Sequence, residues 1–357
     1  MRMKICHSNP SSAAHREAAA HARASVLIPR FILGTIISTA VLLPSLYDPL
    51  ISTLYAFLCD STFYNFSVFE TIEILLFYAV IEPLYTVKFI RNPSLRTDIR
   101  RPKSRSSESD AIYRKRPRMR RPSRRLLEIA SSIAPQILLD LILVKKFAGV
   151  SLADITRSGG YEPIETNDGH VSSSFLLPTM HNFSLSSPLQ LRRALPANAP
   201  SSRRIVLELI ISFFIYDTLF FFIHIAFHRV PVLRRIHRPH HRHGEMNPQV
   251  TNRLSVVERV SLILLANFSL NIIRSHVLTR TAFVPVFVYL LVEVHCGLDL
   301  EWGYDKVLPC GWGAGSKKHA VHHREGEGSY QPFFCWWDDA WESLEKNFGG
   351  NHGIDSS

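Results

Sequence analysis

The chain has 357 residues, 46% of them hydrophobic, with 41 Lys and Arg against 30 Asp and Glu and a formal net charge of +11. Length alone admits two soluble domains or one polytopic membrane domain. The charge is concentrated: residues 91–125 hold 14 Lys/Arg and three Asp/Glu, a net +11 that leaves the rest of the chain neutral, so the balance does not mark a nucleic-acid-binding protein.

Residues 1–30 are polar and Ala-rich. The apolar stretch from Phe31 begins too late for an ordinary signal peptide and lacks a small-residue cleavage site, which favours a retained anchor. Candidate membrane segments follow at 31–47, 68–90, 126–144, 205–223, 256–273 and 281–294. A span needs about 20 mostly apolar residues, a condition that 205–223 meets best. Glu82 and Asp140 interrupt the second and third segments. The last two are separated by a few residues around His276 and predict one in-and-out hairpin.

The basic stretch 91–125 is expected in the cytosol by the positive-inside rule, where contact with anionic headgroups is compatible with its charge. Alternation then puts 48–65 and 149–203 in the lumen and the histidine-rich stretches in the cytosol. Two glycosylation sequons, at Asn65 and Asn182, fall in the expected lumenal stretches, whereas Lys145 and Lys146 at the lumenal end of the third segment run against the scheme. Residues 149–203, rich in Ser, Pro, Asn and Gly, read as an insertion, and 346–357 as a tail. The five cysteines (Cys6, Cys59, Cys296, Cys310, Cys335) are scattered and form no CxxC, so any metal is expected to be held mainly by nitrogen and oxygen. There is no internal repeat, GxGxxG, Walker motif or nucleophile elbow.

Eleven of the 17 histidines lie between residues 224 and 323. His224 and His228, four apart on an apolar run that reads as helix, project from one face. Asp217, seven residues before His224 on the same stripe, either partners an imidazole or simply faces the bundle interior. In HRPHH, Pro239 is expected to break the helix and leave His237, His240 and His241 on a short irregular segment. HAVHH repeats the spacing at His319, His322 and His323, with His295 between the two triplets. Neutral imidazole is the commonest transition-metal ligand. Nine candidate nitrogens exceed the four of a tetrahedral zinc site and suit two metals, most naturally a pair of irons with open positions. Crowded HxxHH triplets fit haem ligation poorly. His243 and His276 read as interfacial or loop residues; His7, His15, His21, His170, His181 and His352 read as incidental.

At these residues the chain resembles the fatty acid hydroxylase/sterol desaturase superfamily of membrane di-iron enzymes, and within it the cholesterol 25-hydroxylase-like group. The resemblance rests on HIAFHRVPVLRRIHRPHH, VEVHCGLDLEWGYDKVLPCGW, KKHAVHH and FFCWWDDAW, from about Asp217 to Trp341. It implies an all-α polytopic membrane protein, a transmembrane helix bundle (31–148 and the first part of 204–345) capped by a cytosolic, helical, histidine-box di-metal domain within 204–345. It further implies a lipid substrate, O2, two iron ions, and electrons from a b-type cytochrome and/or an NAD(P)H-dependent reductase at the endoplasmic reticulum. The implied ligands are His224, His228, His237, His240, His241, His295, His319, His322 and His323, with Asp217 and Asp338 as candidate hydrogen-bond partners of the imidazoles. Some members carry a second histidine four residues after the lone one; here that position is Asp299, which either ligates through oxygen or stands back. Where many members close with Trp-Asp and then Gly-Thr, this chain has Trp337-Asp338 followed by Ala340-Trp341-Glu342-Ser343, so substrate identity does not carry over.

The expected activity is hydroxylation of an unactivated C–H bond of a sterol or sterol-like lipid. Box spacing does not separate this from a desaturase or a fatty-acyl or sphingoid hydroxylase. A non-enzymatic metal-binding membrane protein is the less favoured alternative: a transporter should place its ligands at mid-membrane, whereas eight of the nine lie at or beyond segment ends, and a scaffold without turnover should have lost box residues, whereas none of the three boxes is broken. The aromatic run Phe213–Phe227 supplies candidate cavity walls, although such residues at helical spacing more often pack.

Overall fold

The computed structural model describes residues 13–97, 119, 133–159, 176, 180, 181, 183, 185, 189–243, 245–309 and 311–349. Every regular element among them is a helix, joined by a few isolated β-bridges. In chain order these are α1 (Ala13–Leu42), α2 (Asp48–Asp60), α3 (Phe69–Arg91), α4 (Ile133–Ile142), α5 (Leu152–Gly159), α6 (Ser202–Arg229), α7 (Pro231–His241), α8 (Val256–Ile272), α9 (Val277–His295), α10 (Tyr304–Val307), α11 (Gly315–Glu325) and α12 (Trp336–Gly349).

Local chemistry sets the boundaries of the helices that matter most. Ser201 caps α6 by accepting from Arg204 N, and Val230, before a proline, adopts the extended backbone that separates α6 from α7. Ser255 caps α8 by accepting from Glu258 N, the first half of a capping box. His276, read as a loop residue, caps α9: its Nδ1 accepts from Leu278 N and its Nε2 donates to the Asn198 carbonyl. Gly326 ends α11 in the left-handed conformation, at φ +74°.

The core is built on α9, which is packed on both sides. Val284, Val288 and Val292 meet Tyr85 and Phe89 of α3, while Phe283 joins Phe213 and Tyr216 of α6 and Leu265 of α8. Two helices among the described residues, α6 and α9, are long and apolar enough to cross a membrane. The sequence reading had six candidates. Helix α8 is only 17 residues long, and α3 buries Glu70, Glu73 and Glu82. The expected 48–65 connection holds the 13-residue helix α2, and 126–132 lies outside the described residues. Apolar side chains face outward on α1, α3 and α6, among them Phe31, Leu84 and Phe214.

The bundle has two chemically different ends. His276 opens α9 and His295 closes it, 19 residues and about 28 Å apart. At the His276 end, the stretches expected to share a compartment pack together: Arg193 N donates to Asn65 O, Tyr55 Oη to Pro196 O, and Arg193 and Arg280 flank Glu70 at 3.1 and 3.2 Å. Lys145, one of the two lysines that run against the expected topology, pairs with Asp140 at 2.5 Å. At the His295 end, Thr97 N donates to Gly297 O and Asp299 N to Leu95 O, so the basic stretch leaves the bundle where the histidines lie; most of that stretch lies outside the described residues. Gly297, at φ +66°, is required there: a Cβ would stand 2.1 Å from the Met246 carbonyl oxygen.

Candidate metal centre

Four helices bring nine histidines into two groups. His224 and His228 of α6, His237 and His241 of α7, and His322 of α11 form the first; His240 of α7, His295 of α9, and His319 and His323 of α11 form the second. In each group the candidate ligand atoms lie within 4.8 Å of one another. The two HxxHH triplets divide in opposite senses. The i, i+4 pair of α7 (His237, His241) and the middle member of α11 (His322) face the first group; the i, i+4 pair of α11 (His319, His323) and the middle member of α7 (His240) face the second. This division requires a helix through HRPHH. Pro239 lies inside α7, contrary to the expected break, because it falls in the last turn, where it forfeits one intrahelical bond shortly before the helix ends.

The imidazoles are oriented for metal. His224 Nδ1 donates to Tyr330 O at 2.7 Å, His241 Nδ1 to His323 O at 3.2 Å, His295 Nδ1 to Leu291 O at 2.8 Å and His322 Nδ1 to Gly328 O at 2.6 Å. His237 Nδ1 meets Glu258 Oε1 at 2.7 Å. A ring that donates from Nδ1 when neutral carries a bare lone pair on Nε2. In the first group, Nε2 of His237 lies 3.1 Å from that of His224, 3.1 Å from that of His228 and 2.8 Å from that of His241. In the second, His319 Nε2 lies 3.0 Å from those of both His295 and His323, and His295 Nε2 lies 3.3 Å from that of His240. Two nitrogens bound cis to one metal at about 2.1 Å stand about 3.0 Å apart. Converging lone pairs without protons between them repel, so a cation at each focus is what this donor set fits.

Burial, and then the neighbouring imidazoles, push the pKa values of His240, His319, His322 and His323 well below the usual range; the same causes bring His241 to about 3. These rings are therefore neutral at pH 7, the ligating form.

The predicted carboxylates act at one remove. Asp217, fully buried, accepts from Phe333 N at 2.9 Å and from Gln331 Nε2. Asp338 accepts from Tyr330 N at 2.7 Å and Gln331 N at 3.0 Å, and burial raises it to about 6. Both hold the 330–333 loop, whose Tyr330 carbonyl fixes His224, and neither bonds an imidazole in the described structure. Asp299 is in neither group; it accepts from Lys306 Nζ at 2.6 Å on the surface. Asn65, half-buried, donates its amide to the Cys59 and Ser61 carbonyls at 2.8 Å, with Ser67 buried; Asn182 lies outside the described residues.

Two residues escaped the sequence reading. Glu258 is the acid at the start of an apolar segment, and its capping-box spacing from Ser255 was the available signal. His243 was set aside as interfacial, yet its Nε2 lies 2.9 Å from His323 Nδ1.

Two spaces adjoin the histidines. Between α3, α4, α6, α8 and α9 lies an apolar cavity of about 140 Å³ that reaches His224, His240, His295 and His319. Tyr216 and Phe220 of the aromatic run line it, while Phe213 packs in the core. Across the first group, His228 and Tyr330 border an open, charged cleft of about 1020 Å³.

The fatty acid hydroxylase family model matches residues 209–343. The chain is 32% identical over 145 residues to cholesterol 25-hydroxylase of Rattus norvegicus, covering 40% of this chain and 49% of that protein. It is 32% identical over 149 residues to a cholesterol 25-hydroxylase-like protein of Danio rerio (42% and 59%) and 31% identical over 147 residues to a methylsterol monooxygenase of Aspergillus fumigatus (39% and 47%). The chain thus spans about half the length of the curated relatives it matches, and no solved structure matches it. All nine clustered histidines fall inside residues 209–343, the segment that the fatty acid hydroxylase family model matches.

Proposed function

We propose that the protein is a membrane-bound, O2-dependent di-iron monooxygenase that hydroxylates an unactivated C–H bond of a sterol or sterol-like lipid. The observation that carries the reading is the pair of histidine foci, each a set of neutral or Nδ1-anchored imidazoles with Nε2 atoms about one cis-ligand edge apart. His224, His228, His237, His241 and His322 would hold one iron and His240, His295, His319 and His323 the other. When bound, the irons supply O2 activation and the oxidising power to break the C–H bond; the two electrons come from a b-type cytochrome and/or an NAD(P)H-dependent reductase.

The chain's own residues position and protect. Carbonyls of Tyr330, Leu291 and Gly328 and the Glu258 carboxylate lock the rings, so the ligands need little reorganisation. Apolar walls such as Phe220, Phe287 and Leu291 exclude water on the cavity side and leave room for hydrocarbon against the imidazoles. In this reading the bundle lies in the endoplasmic reticulum membrane with the histidine end in the cytosol, on the same side as the basic stretch. The relatives named for sterol oxidation favour a sterol-like substrate over a fatty acyl chain.

The test is expression in membranes with sterols and fatty acids, followed by mass analysis. A lipid gaining one oxygen with the wild type, and not with His240→Ala or His322→Ala, is expected. A product carrying loss of two hydrogens instead would make the enzyme a desaturase, and product unchanged in both variants would remove the metal mechanism.

A further inference from the structure

Helix α7 faces two ways. His237, His240 and His241 turn toward the histidine foci and belong to both groups, while Arg234, Arg235, Arg238 and Arg242 are all exposed. With 3.6 residues per turn, positions 234, 235, 238 and 242 fall within an arc of about 100°, separate from the arc of the histidines, and form a stripe about 12 Å long. The stripe carries one sign of charge: residues 218–244 hold five Arg and no Asp or Glu. Among the described residues no carboxylate pairs with any of the four arginines. Four like charges this close repel one another, and an anionic surface laid on them relieves that repulsion. The surface is not the bilayer. A helix that lies on a membrane keeps an apolar face for the acyl boundary. Beyond Val232 in its first turn α7 has none to spare, because its inner face is the histidine face, packed on α6 and α8 and bonded to α11 through His241 Nδ1 and the His323 carbonyl.

Resting on the monooxygenase reading, we infer that the arginine stripe of α7 is the docking surface for the electron donor, a one-electron redox protein that presents carboxylates around its redox group. The reaction takes two electrons for each lipid oxidised, and the centre that needs them is buried. On the bundle side the centre meets the apolar cavity lined by Phe220, Phe287 and Leu291, a place for hydrocarbon and not for a charged protein surface. The stripe lies on the outer side of a helix whose histidines belong to both groups, so a donor seated there stands about one helix diameter, roughly 10–12 Å, from the foci. The neighbouring surface narrows the footprint. Arg234 also borders the charged cleft, where Asp339, Glu342 and Glu345 repel an acidic partner, so attraction is confined to α7. Each encounter moves one electron from the donor's reduced group, which is oxidised, to the centre, which is reduced; no bond forms or breaks, and two encounters supply one turnover.

The experiment titrates the soluble haem domain of a b-type cytochrome with an acidic surface onto the iron-loaded full chain in phosphatidylcholine nanodiscs. The wild type is expected to bind with an affinity that falls as salt is raised. Arg235→Glu/Arg238→Glu should weaken binding by about tenfold or more, and Arg235→Lys/Arg238→Lys should keep most of it. Iron per chain equal to that of the wild type shows that the variants are folded; if the charge reversal lowers it, Arg235→Gln/Arg238→Gln takes its place. Equal affinity for the reversal variant and the wild type overturns the assignment, as does a wild type that does not bind. A difference that emerges only in nanodiscs containing phosphatidylserine makes the stripe a lipid-headgroup surface, which overturns it as well. Binding is read without turnover, so a protein that holds the haem domain through these arginines and oxygenates no lipid would overturn the monooxygenase reading instead.

Discussion

Glu258 Oε1 lies 2.7 Å from His237 Nδ1, with both side chains almost fully buried, and this contact ties the start of α8 to a candidate ligand on α7. In an ordinary capping box the glutamate reaches back to its own helix cap. Here Ser255 makes its half of the box while the carboxylate turns to the imidazole.

That exchange gives the first prediction. Glu258→Ala should lower iron affinity by about 10- to 100-fold, the usual effect of removing a partner behind a ligating histidine. Glu258→Gln keeps an acceptor for Nδ1–H and should lose less. Iron retained after dialysis against a graded chelator series measures both; equal retention by Glu258→Ala and the wild type would contradict the role.

The two groups are not anchored equally. In the second, His240 Nδ1 and His319 Nδ1 are buried without a partner, and His323 leans on His243. His243→Leu should therefore release iron faster than the wild type in one kinetic phase while the other phase is unchanged, and His243→Gln should restore part of the difference. Stopped-flow chelation reads the phases; identical traces for the leucine variant and the wild type would rule the contact out as support.

Acid should destabilise the metal-free protein. His241 titrates at about 3 in the fold against an ordinary 6.5, and His240, His319, His322 and His323 are shifted in the same direction. Below about pH 6.5 the unfolded chain takes up protons that the folded chain refuses, so stability is complete above that pH and declines as pH falls. The Tm of chelated protein should hold near pH 7.5 and drop as pH falls from about 6.5 to 5, as followed by thermal scanning in detergent. A Tm that rises on acidification has the wrong sign for this account.

Asp217 satisfies Phe333 N and Gln331 Nε2 in the interior. Asp217→Ala leaves both donors unpaired and should cost about 2–4 kcal/mol of stability. It should also loosen the Tyr330 carbonyl from His224. Chemical denaturation measures the first effect. A loss under 1 kcal/mol with full iron content would show that the loop is held by other means.

Residue identities carried the candidate site further than they carried the fold. The nine clustered histidines were legible because apolar runs and i, i+4 spacing mark them. Their sorting was not: it depends on α7 continuing through Pro239, where local propensity argues for a break. The acceptors behind His224, His295 and His322 are main-chain carbonyls, which any residue supplies, so no sequence signal marks them. Segment lengths misled for the fold, since α3 hides three buried glutamates and Asp48–Asp60 forms a helix where a connection was expected. Arg193 sat in a stretch read as an insertion, yet it is buried against Glu70 and the Tyr64 carbonyl, a tertiary role that composition does not reveal.

The most direct test is iron per polypeptide, measured by elemental mass spectrometry on purified full-length protein alongside His237→Ala and His319→Ala. Two atoms per chain in the wild type, with each variant losing iron mainly from its own focus, is the predicted result. A single atom per chain that both substitutions remove together would mean that the imidazoles serve one centre, and the two-iron account would be wrong.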